Sequence, residues 1–534
     1  MGAFSLLLAM VGTLLAGAWP AEAASTVDRV AREIRAEATR GNTDRGGRPL
    51  PLAAHWNTGQ RPNGFDPAYQ LRMIARGHHL LPWLQLPSPD QTEGLEYYEI
   101  PVRMMAELRL PLSFVSTQWE HRLTDDKAYF DLPADRNPNV VDPEGKVRRE
   151  VCPFGPVAPW RAVGQQWTTS PILRLLQLWY PNPPRVLFIS NNEHSKLTWS
   201  QVEQSARYLE RHGKGRNDTF KRQVVAEGWI ERYRALQAGM RDGLTQARWR
   251  QNALFVGYEA FGPAHLGRWE GWEEYSLWTP GRIDPAPLAW DGGSPSLYTH
   301  NWNASTDYTV WSPQVEAMNW VPMLAEAHRL NPRFWFELST WDGHEPTLAN
   351  DKRKVYAQAG QTASPERYGG MVQFGMWLLC PRAVREFRGW TDTVANAEPY
   401  FLPILAAVDR VYHNPILRRF WRQSQLVPNR AHPHPYAANL PPDYRAADRW
   451  FLLDTDLDPP RPWTLSTEIP VFALARVLGQ PGGREWLIYA HAPLGERQGV
   501  TVTLPEYGQV RIDVTPAGVF YHLRERGRRL QRVL

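Results

Sequence analysis

Residues 185–193 read RVLFISNNE, a run of apolar residues that ends abruptly in polar ones. Residues 186–189 are all apolar, as expected of a strand that is covered on both faces. Asn191, Asn192 and Glu193 then mark the C-terminal end of that strand. The stretch therefore predicts a buried parallel strand that carries chemically active side chains where it ends.

Seven further runs of this kind occur between residues 52 and 377, and segments with helical periodicity separate many of them. They span residues 52–56, 80–85, 112–116, 253–258, 296–300, 333–337 and 371–377. Eight strands in such a rhythm predict an α/β fold, a (β/α)8 TIM barrel. Polar or aromatic residues follow most of the runs, which places them at the C-terminal face, where such barrels build their active sites.

The pattern changes near residue 426 and divides the chain into predicted regions. Residues 24–425 form the barrel, and the proline-rich residues 426–446 are interpreted as a linker. Residues 447–534 contain short β runs separated by Gly and Pro turns, which predict a C-terminal antiparallel β-sandwich domain.

The first 23 residues have the features of an export signal. Residues 5–16 are an apolar run, and Ala21-Glu22-Ala23 provides a small-x-small cleavage site. We therefore expect a secreted or periplasmic protein. No later segment reaches about 18 apolar residues, so no membrane span is expected. In an exported protein Cys152 and Cys380 could form one disulfide, and two buried free thiols remain equally open.

Composition limits the classes of partner. The formal net charge is +5 and the basic residues are spread along the chain, without a nucleic-acid-binding motif, so no nucleic-acid partner is expected. No Cys/His spacing indicates a metal site, and no cofactor is expected. Tryptophan occurs 25 times, and indole rings can stack on the apolar faces of sugar rings. A carbohydrate partner is the class that these features favour.

Two glutamates stand where a barrel glycosidase needs its carboxyl groups. Hydrolysis with retention requires two such groups about 5–5.5 Å apart across the anomeric centre. Glu193 directly follows the fourth predicted strand, and Glu337 ends the seventh. Strand ends far apart in the chain can meet at the same barrel face. The sequence therefore predicts that Glu193 and Glu337 form such a pair.

Asn192-Glu193 and Phe334-Trp335-Phe336-Glu337 make the chain similar to the clan A, or 4/7 superfamily, of retaining glycoside hydrolases. The resemblance covers about residues 50–425. It implies that Glu193 is the acid/base and Glu337 the nucleophile, and that β-linked poly- or oligosaccharides are cleaved through a covalent glycosyl-enzyme. It also implies that Asn192 bonds the sugar 2-hydroxyl, that Tyr298 or His300 touches the nucleophile, and that Trp377, at the end of strand eight, forms the floor of the central subsite.

Further candidates come from the ends of the other predicted strands. Those expected to contact substrate are His55, Trp56, Trp119, Trp341 and Glu259. Glu259 is also the main rival for the acid/base, and other carboxylates expected at the same face are Glu120, Asp342 and Glu345.

Two other functions fit the same sequence. One is a barrel that binds carbohydrate without cleaving it, since the aromatic residues are common to both. The other is an inverting hydrolase that uses Glu259 or Asp342, with carboxyl groups about 6.5–9.5 Å apart. The sugar, its linkage and the oligomeric state stay open. The Arg-rich segment between His121 and Trp167, interpreted as an active-site loop insertion, indicates that the carbohydrate could be anionic.

Overall fold

A computed structural model describes most of the chain. It covers residues 28–36, 47–56, 80–116, 119–191, 196–258, 286–298, 313–341, 360–362, 364–386, 394–430, 450–456 and 469–534. The predicted export signal lies outside these residues.

The first eleven strands belong to the N-terminal part of the chain. They are β1 (Leu52–Trp56), β2 (Leu80–Gln85), β3 (Leu112–Ser116), β4 (Asn139–Val141), β5 (Val147–Val151), β6 (Val186–Asn191), β7 (Ala253–Tyr258), β8 (Gly292–Ser294), β9 (Ser296–Tyr298), β10 (Trp335–Trp341) and β11 (Ala383–Glu386). All except β4 and β5 belong to one parallel sheet. Strands β8 and β9 both pair with β10 and are two segments of one barrel strand, separated by Pro295.

The parallel sheet closes on itself. Strand β11 pairs with β10 on one side and with β1 on the other. The ring runs β1, β2, β3, β6, β7, β8/β9, β10, β11, which gives eight strand positions. A closed parallel ring of eight strands with intervening helices is the arrangement of a (β/α)8 barrel, as the sequence predicted. Strand β6 is the fourth position and β10 the seventh, so the predicted numbering of these two strands is confirmed.

Helices connect most of the strands and cover the ring. They are α1 (28–36), α2 (Leu95–Leu108), α3 (His121–Asp125), α4 (Lys127–Phe130), α5 (Ala158–Thr168), α6 (Pro171–Trp179), α7 (Ala206–His212), α8 (Asp218–Gly243), α9 (Ala247–Asn252), α10 (Ala286–Ala289), α11 (Pro313–Leu330), α12 (Pro365–Leu379), α13 (Val394–His413) and α14 (Pro415–Gln423), with a 3-10 helix at Trp199–Gln204.

The assignment of residues 371–377 to the eighth strand was wrong. They belong to helix α12, and the eighth strand is β11, which starts at Ala383. Helix α12 is buried along almost its whole length because the barrel covers one side and the C-terminal sheet covers the other. A helix buried on all sides reads as a continuous apolar run, which is also the pattern of a buried strand.

The segment between β3 and β6 contains regular structure. Strands β4 and β5 form an antiparallel hairpin, and helix α5 packs closely along α8. Two glycines allow this close approach. A Cβ on Gly164 would lie 2.0 Å from the Leu236 carbonyl oxygen, and one on Gly239 would lie 1.9 Å from that of Arg161. The insertion begins after the C-terminal end of β3, so it leaves the ring on the face where barrels bind substrate.

The C-terminal region is antiparallel, as predicted. Strand β12 (Gln425–Leu426) joins β13 (Phe472–Leu478), β14 (Glu485–His491), β17 (Val519–Arg524) and β18 (Arg529–Arg532) in one sheet, and β15 (Arg497–Leu504) pairs with β16 (Gly508–Val514) in a second. Apolar residues of both sheets share one buried cluster. Strand β12 spans the predicted boundary between the barrel, which was expected to end at residue 425, and the linker, which was expected to start at 426. Residues from this boundary are therefore part of the C-terminal sheet. The predicted sandwich and domain limits stay predictions.

Cys152 is buried and Cys380 is half-buried, and both are free thiols, so the disulfide alternative is not realised. Among the helices of the described ranges, none combines the length and apolar character needed to cross a bilayer.

Candidate active site

The seventh barrel strand extends beyond Glu337. Strand β10 runs from Trp335 to Trp341, so Glu337 is its third residue. The prediction that Glu337 ends the seventh strand is therefore wrong. The strand continues because Leu338, Ser339 and Thr340 are all buried and pair with neighbouring strands. At about 3.3 Å per residue, Glu337 lies roughly 13 Å below the C-terminal residue of the strand.

Glu337 is the acceptor of a buried polar cluster formed by three adjacent barrel strands. Its side chain and that of Arg385, on β11, are both 0% exposed and form an ion pair. Ser294 Oγ, on β8, donates to Glu337 Oε1 at 3.3 Å, and the Trp335 indole nitrogen donates to Oε2 at 3.0 Å. Arg385 also donates to Ser294 Oγ at 2.7 Å. The cation and both donors interact favourably with the charged form of this carboxyl group.

Two aromatic residues stand nearer the C-terminal face. Trp341 and Tyr298 are paired in register and meet edge to face, with ring centroids 5.4 Å apart. Side chains alternate along a strand, so Glu337, Ser339 and Trp341 share one face of β10. Trp341 is 0% and Tyr298 2% exposed. Both predicted substrate contacts therefore lie at the C-terminal ends of their strands, on the same side of the ring as Glu337, and both are buried.

The segment with Asn192 and Glu193 lies outside the described residues, but both of its ends are defined. Before it, Asn191 is the last residue of β6 and pairs with Tyr258 of β7. After it, Lys196 forms a bridge with Val151, at the end of the inserted hairpin. Only four residues, 192–195, separate these two fixed positions.

Lys196 belongs to a second buried charged cluster. Its ammonium nitrogen lies 3.1 Å from Glu120 Oε1, and the Tyr233 hydroxyl donates to the same oxygen at 3.1 Å. Burial lowers the pKa of Lys196, although the Glu120 carboxylate opposes that shift. Burial and the same carboxylate raise the pKa of Tyr233 well above its ordinary value. Glu120 was expected as a carboxylate at the C-terminal face of the barrel. It is 0% exposed and instead forms an ion pair with Lys196, the first described residue after the Glu193 segment.

Two predicted substrate contacts lie in the core. Trp119 is 0% exposed and packs against Phe255 and Trp290, so it does not line an open subsite. Trp377 lies on helix α12 rather than at the end of strand eight, and its ring packs against Trp421 and Phe520. The expected floor of the central subsite is therefore wrong, because the strand assignment behind it was wrong.

The remaining candidates are outside the described part of the chain. They are Asn192, Glu193, Glu259 and His300, together with the rivals Asp342 and Glu345 and the side chains of His55 and Trp56. Their roles stay predictions.

Sequence reasoning missed Arg385 and Ser294, the two partners that define the surroundings of Glu337. Arg385 sits in a four-residue strand, AVRE, with only two apolar residues, which is too short to give a clear strand signal. The useful signal was Cys380-Pro381, which ends the long apolar run and starts a new element. In the part of the chain that the structure describes, no group of three or more His, Cys, Asp or Glu side chains is placed to hold a metal ion.

Comparison with known proteins gives little further information. No protein-family model matches the chain, and neither does any curated protein. Among solved structures, the chain is similar to an agarase, AgWH50C, at 12% identity and a TM-score of 0.31, over 70% of this chain and 61% of the agarase. It thus spans about three fifths of that relative. It is also similar to isomaltulose synthase (PalI) from Klebsiella sp. LX3, at 9% identity and a TM-score of 0.32, over 90% and 99% of the two chains. TM-scores this low do not transfer a function.

Proposed function

We propose that this protein is a retaining glycoside hydrolase that cleaves β-linked poly- or oligosaccharides, with Glu193 as acid/base and Glu337 as nucleophile. The observation that carries the proposal is the position of Glu337 within the seventh strand of the ring, ion-paired with Arg385 and hydrogen-bonded by Trp335 and Ser294. A nucleophile must be ionised before it attacks, and this cluster supplies a positive charge and donors that interact favourably with the ionised form.

The proposed reaction follows from the two carboxyl groups. Glu193 protonates the glycosidic oxygen while Glu337 attacks the anomeric carbon, which breaks the glycosidic bond and forms a glycosyl ester. Glu193, now a carboxylate, then takes a proton from water, which hydrolyses the ester and restores Glu337. During the ester stage Glu337 carries no charge, so Arg385 loses its ionic partner and favours return of the carboxylate.

The depth of Glu337 sets a condition on this proposal. It is fully buried, and Ser339 and Trp341 follow it on the same face of β10. A sugar ring has to pass Trp341 and Tyr298 to reach the carboxylate. Such a passage would enclose the reacting sugar between aromatic faces, which strengthens electrostatic interactions by excluding water.

The same burial favours a second candidate function, a barrel that binds saccharide without cleaving it. In that case the Glu337–Arg385 pair only stabilises the barrel interior. The aromatic residues at the strand ends would bind sugar in both cases, so binding alone does not separate the two functions.

The decisive experiment is a screen of polysaccharides with the wild type and with Glu193→Gln, Glu337→Gln and Glu107→Gln, the last a control on the exposed surface of α2. Nuclear magnetic resonance identifies the anomer released first. We expect retention, a loss of about 10²–10⁴-fold in Glu193→Gln, a larger loss in Glu337→Gln, and no change in the control. An inverted first product, or full activity of folded Glu337→Gln, contradicts the proposal.

Trapping distinguishes a nucleophile from a structural carboxylate. A 2-fluoro glycosyl fluoride of the cleaved sugar should form a stable ester that mass spectrometry of peptides locates at Glu337. A label on Glu259, Asp342 or Glu345 would assign the nucleophile elsewhere. Binding of an oligosaccharide without any hydrolysis would favour the second candidate.

A further inference from the structure

Strands β17 and β18, with the turn between them, form a hairpin that carries a concentrated positive charge. Basic residues are spread along most of the chain, but residues 524–532 of this hairpin read RERGRRLQR, with five arginines and one glutamate. These side chains give a net charge of +4, against +5 for the whole chain. All five arginines are exposed to solvent. Arginine-rich segments of this length are typical of surfaces that bind polyanions, and we call this element the arginine hairpin.

The acidic residues nearest to the arginine hairpin have other partners. Glu525, in the turn, accepts from Arg484 Nε at 2.5 Å, so its charge is paired with a residue outside the hairpin. Glu485, on β14, accepts from two nitrogens of Arg419 at 2.9 and 2.6 Å. The distance from Glu485 to Arg524 is longer, at 3.7 Å. These two carboxylates therefore neutralise the hairpin only in part.

Three arginines at the turn are not neutralised by the described residues. Arg526, Arg528 and Arg529 form no ion pair with an acidic side chain of the described ranges. Arg529 also lies directly opposite Arg524, its partner in the β17–β18 register. Like charges directly opposite each other on paired strands repel. A bound anion would reduce this repulsion, so the hairpin favours an anionic partner.

We propose that the arginine hairpin is a docking surface for an anionic polysaccharide. Guanidinium groups form paired hydrogen bonds with carboxylate oxygens and charge-assisted ones with sulfate. The arginines are spread over the turn and over β18, which is about 10 Å long at 3.3 Å per residue. A polymer that repeats its charge along its length matches this arrangement better than a small ion does.

The choice of a polysaccharide, rather than a nucleic acid or a lipid surface, rests on the proposed function. That function gives the chain a saccharide substrate, and the arginine hairpin adds that the polymer carries sulfate or carboxylate groups. Docking at an exposed hairpin would keep such a polymer on the protein between cleavage events. Binding itself requires no turnover.

Binding of the full chain to immobilised heparin, polygalacturonate and dextran tests the proposal. Heparin carries sulfate and carboxylate groups, polygalacturonate carries carboxylates, and dextran is neutral. We expect at least one charged polymer to bind and dextran not to bind, with an affinity that falls as salt is raised. Arg526→Gln/Arg528→Gln/Arg529→Gln should weaken binding about tenfold, because three exposed ionic contacts are lost.

A matched control removes the same number of charges elsewhere. Arg174→Gln/Arg211→Gln/Arg248→Gln replaces exposed arginines of helices α6, α7 and α9 and should bind as the wild type does. Melting temperatures are measured in parallel. The charged polymer that binds should raise the melting temperature of the wild type and the control more than that of the hairpin variant. If the hairpin variant is unfolded, Arg529→Gln alone should weaken binding about twofold.

Several outcomes would overturn the proposal. They are binding to neither charged polysaccharide, equal binding to dextran, and equal effects of the two triple variants. Tighter binding to duplex DNA, or to vesicles of phosphatidylserine and phosphatidylcholine, than to both charged polysaccharides would assign the surface to another class of partner. A polysaccharide that binds at the hairpin and is never cleaved contradicts only the proposed hydrolysis. Cleavage of a charged polysaccharide with unchanged binding in the hairpin variant contradicts only the docking surface.

Discussion

Replacing Glu337 by glutamine removes one charge from the barrel interior and leaves its partner in place. Arg385 is 0% exposed, and its guanidinium contacts both Glu337 and Ser294. Breaking a buried ion pair from one side typically costs about 3–5 kcal/mol, because the remaining charge is buried without compensation. The glutamine oxygen can still accept from the Trp335 indole, which retains about 1 kcal/mol of that interaction. We therefore expect a loss near the lower end, about 3 kcal/mol.

Denaturant unfolding followed by circular dichroism measures this loss, with two further variants. In Glu337→Gln/Arg385→Met neither charge is left unpaired, so the double variant should recover most of the stability. The control Glu326→Gln breaks the Arg329–Glu326 pair on the surface of α11, where a loss of at most about 1 kcal/mol is expected. A Glu337→Gln protein as stable as the control, or a double variant less stable than either single one, would refute the reasoning.

Lys196→Met leaves Glu120 buried without its cation and should destabilise the protein by about 3–5 kcal/mol; an unchanged unfolding midpoint would contradict this. The pKa of Glu485 is lowered from 4.5 to about 2, mainly by the hydrogen bond from Arg419. Its contribution is therefore complete above about pH 4.5 and lost as pH falls toward 2, so Glu485→Gln should have a flatter melting-temperature profile between pH 5 and 2 than the wild type; parallel profiles would exclude the link. Gly239→Ala should cost about 3 kcal/mol because the new Cβ meets the Arg161 carbonyl, whereas Gly483→Ala, which has room, should not; equal unfolding free energies would contradict the packing argument.

Most of the barrel could be predicted from the sequence, because its strands are local features. The stretch 186–191 is apolar up to its polar end, and the structure forms β6 there as the fourth strand of the ring. The eighth strand could not be found this way. Helix α12 is covered from both sides, so its residues are apolar throughout and show no helical period. The true eighth strand, AVRE, has four residues, which is too few to give a clear strand pattern.

The candidate site, too, could be predicted only in part from the sequence. The sequence located Glu337 on the seventh strand, but not its depth. Strand β10 continues to Trp341 because each residue from Leu338 on finds partners on β9 or β11, and those partners lie far away in the chain. Likewise, nothing near Glu120 in the sequence indicates that Lys196, 76 positions later, would neutralise it.

By itself, the sequence determined the alternation of strands and helices, the change to antiparallel strands near the C-terminus, and the strand positions of Asn191 and Glu337. These properties depend on the period and polarity of neighbouring residues, which the chain carries locally. Only the tertiary structure decided which charges are paired and which tryptophans are packed in the core. Such properties depend on burial and on distances between segments remote in sequence, because an electrostatic interaction is set by separation and solvent exposure in space.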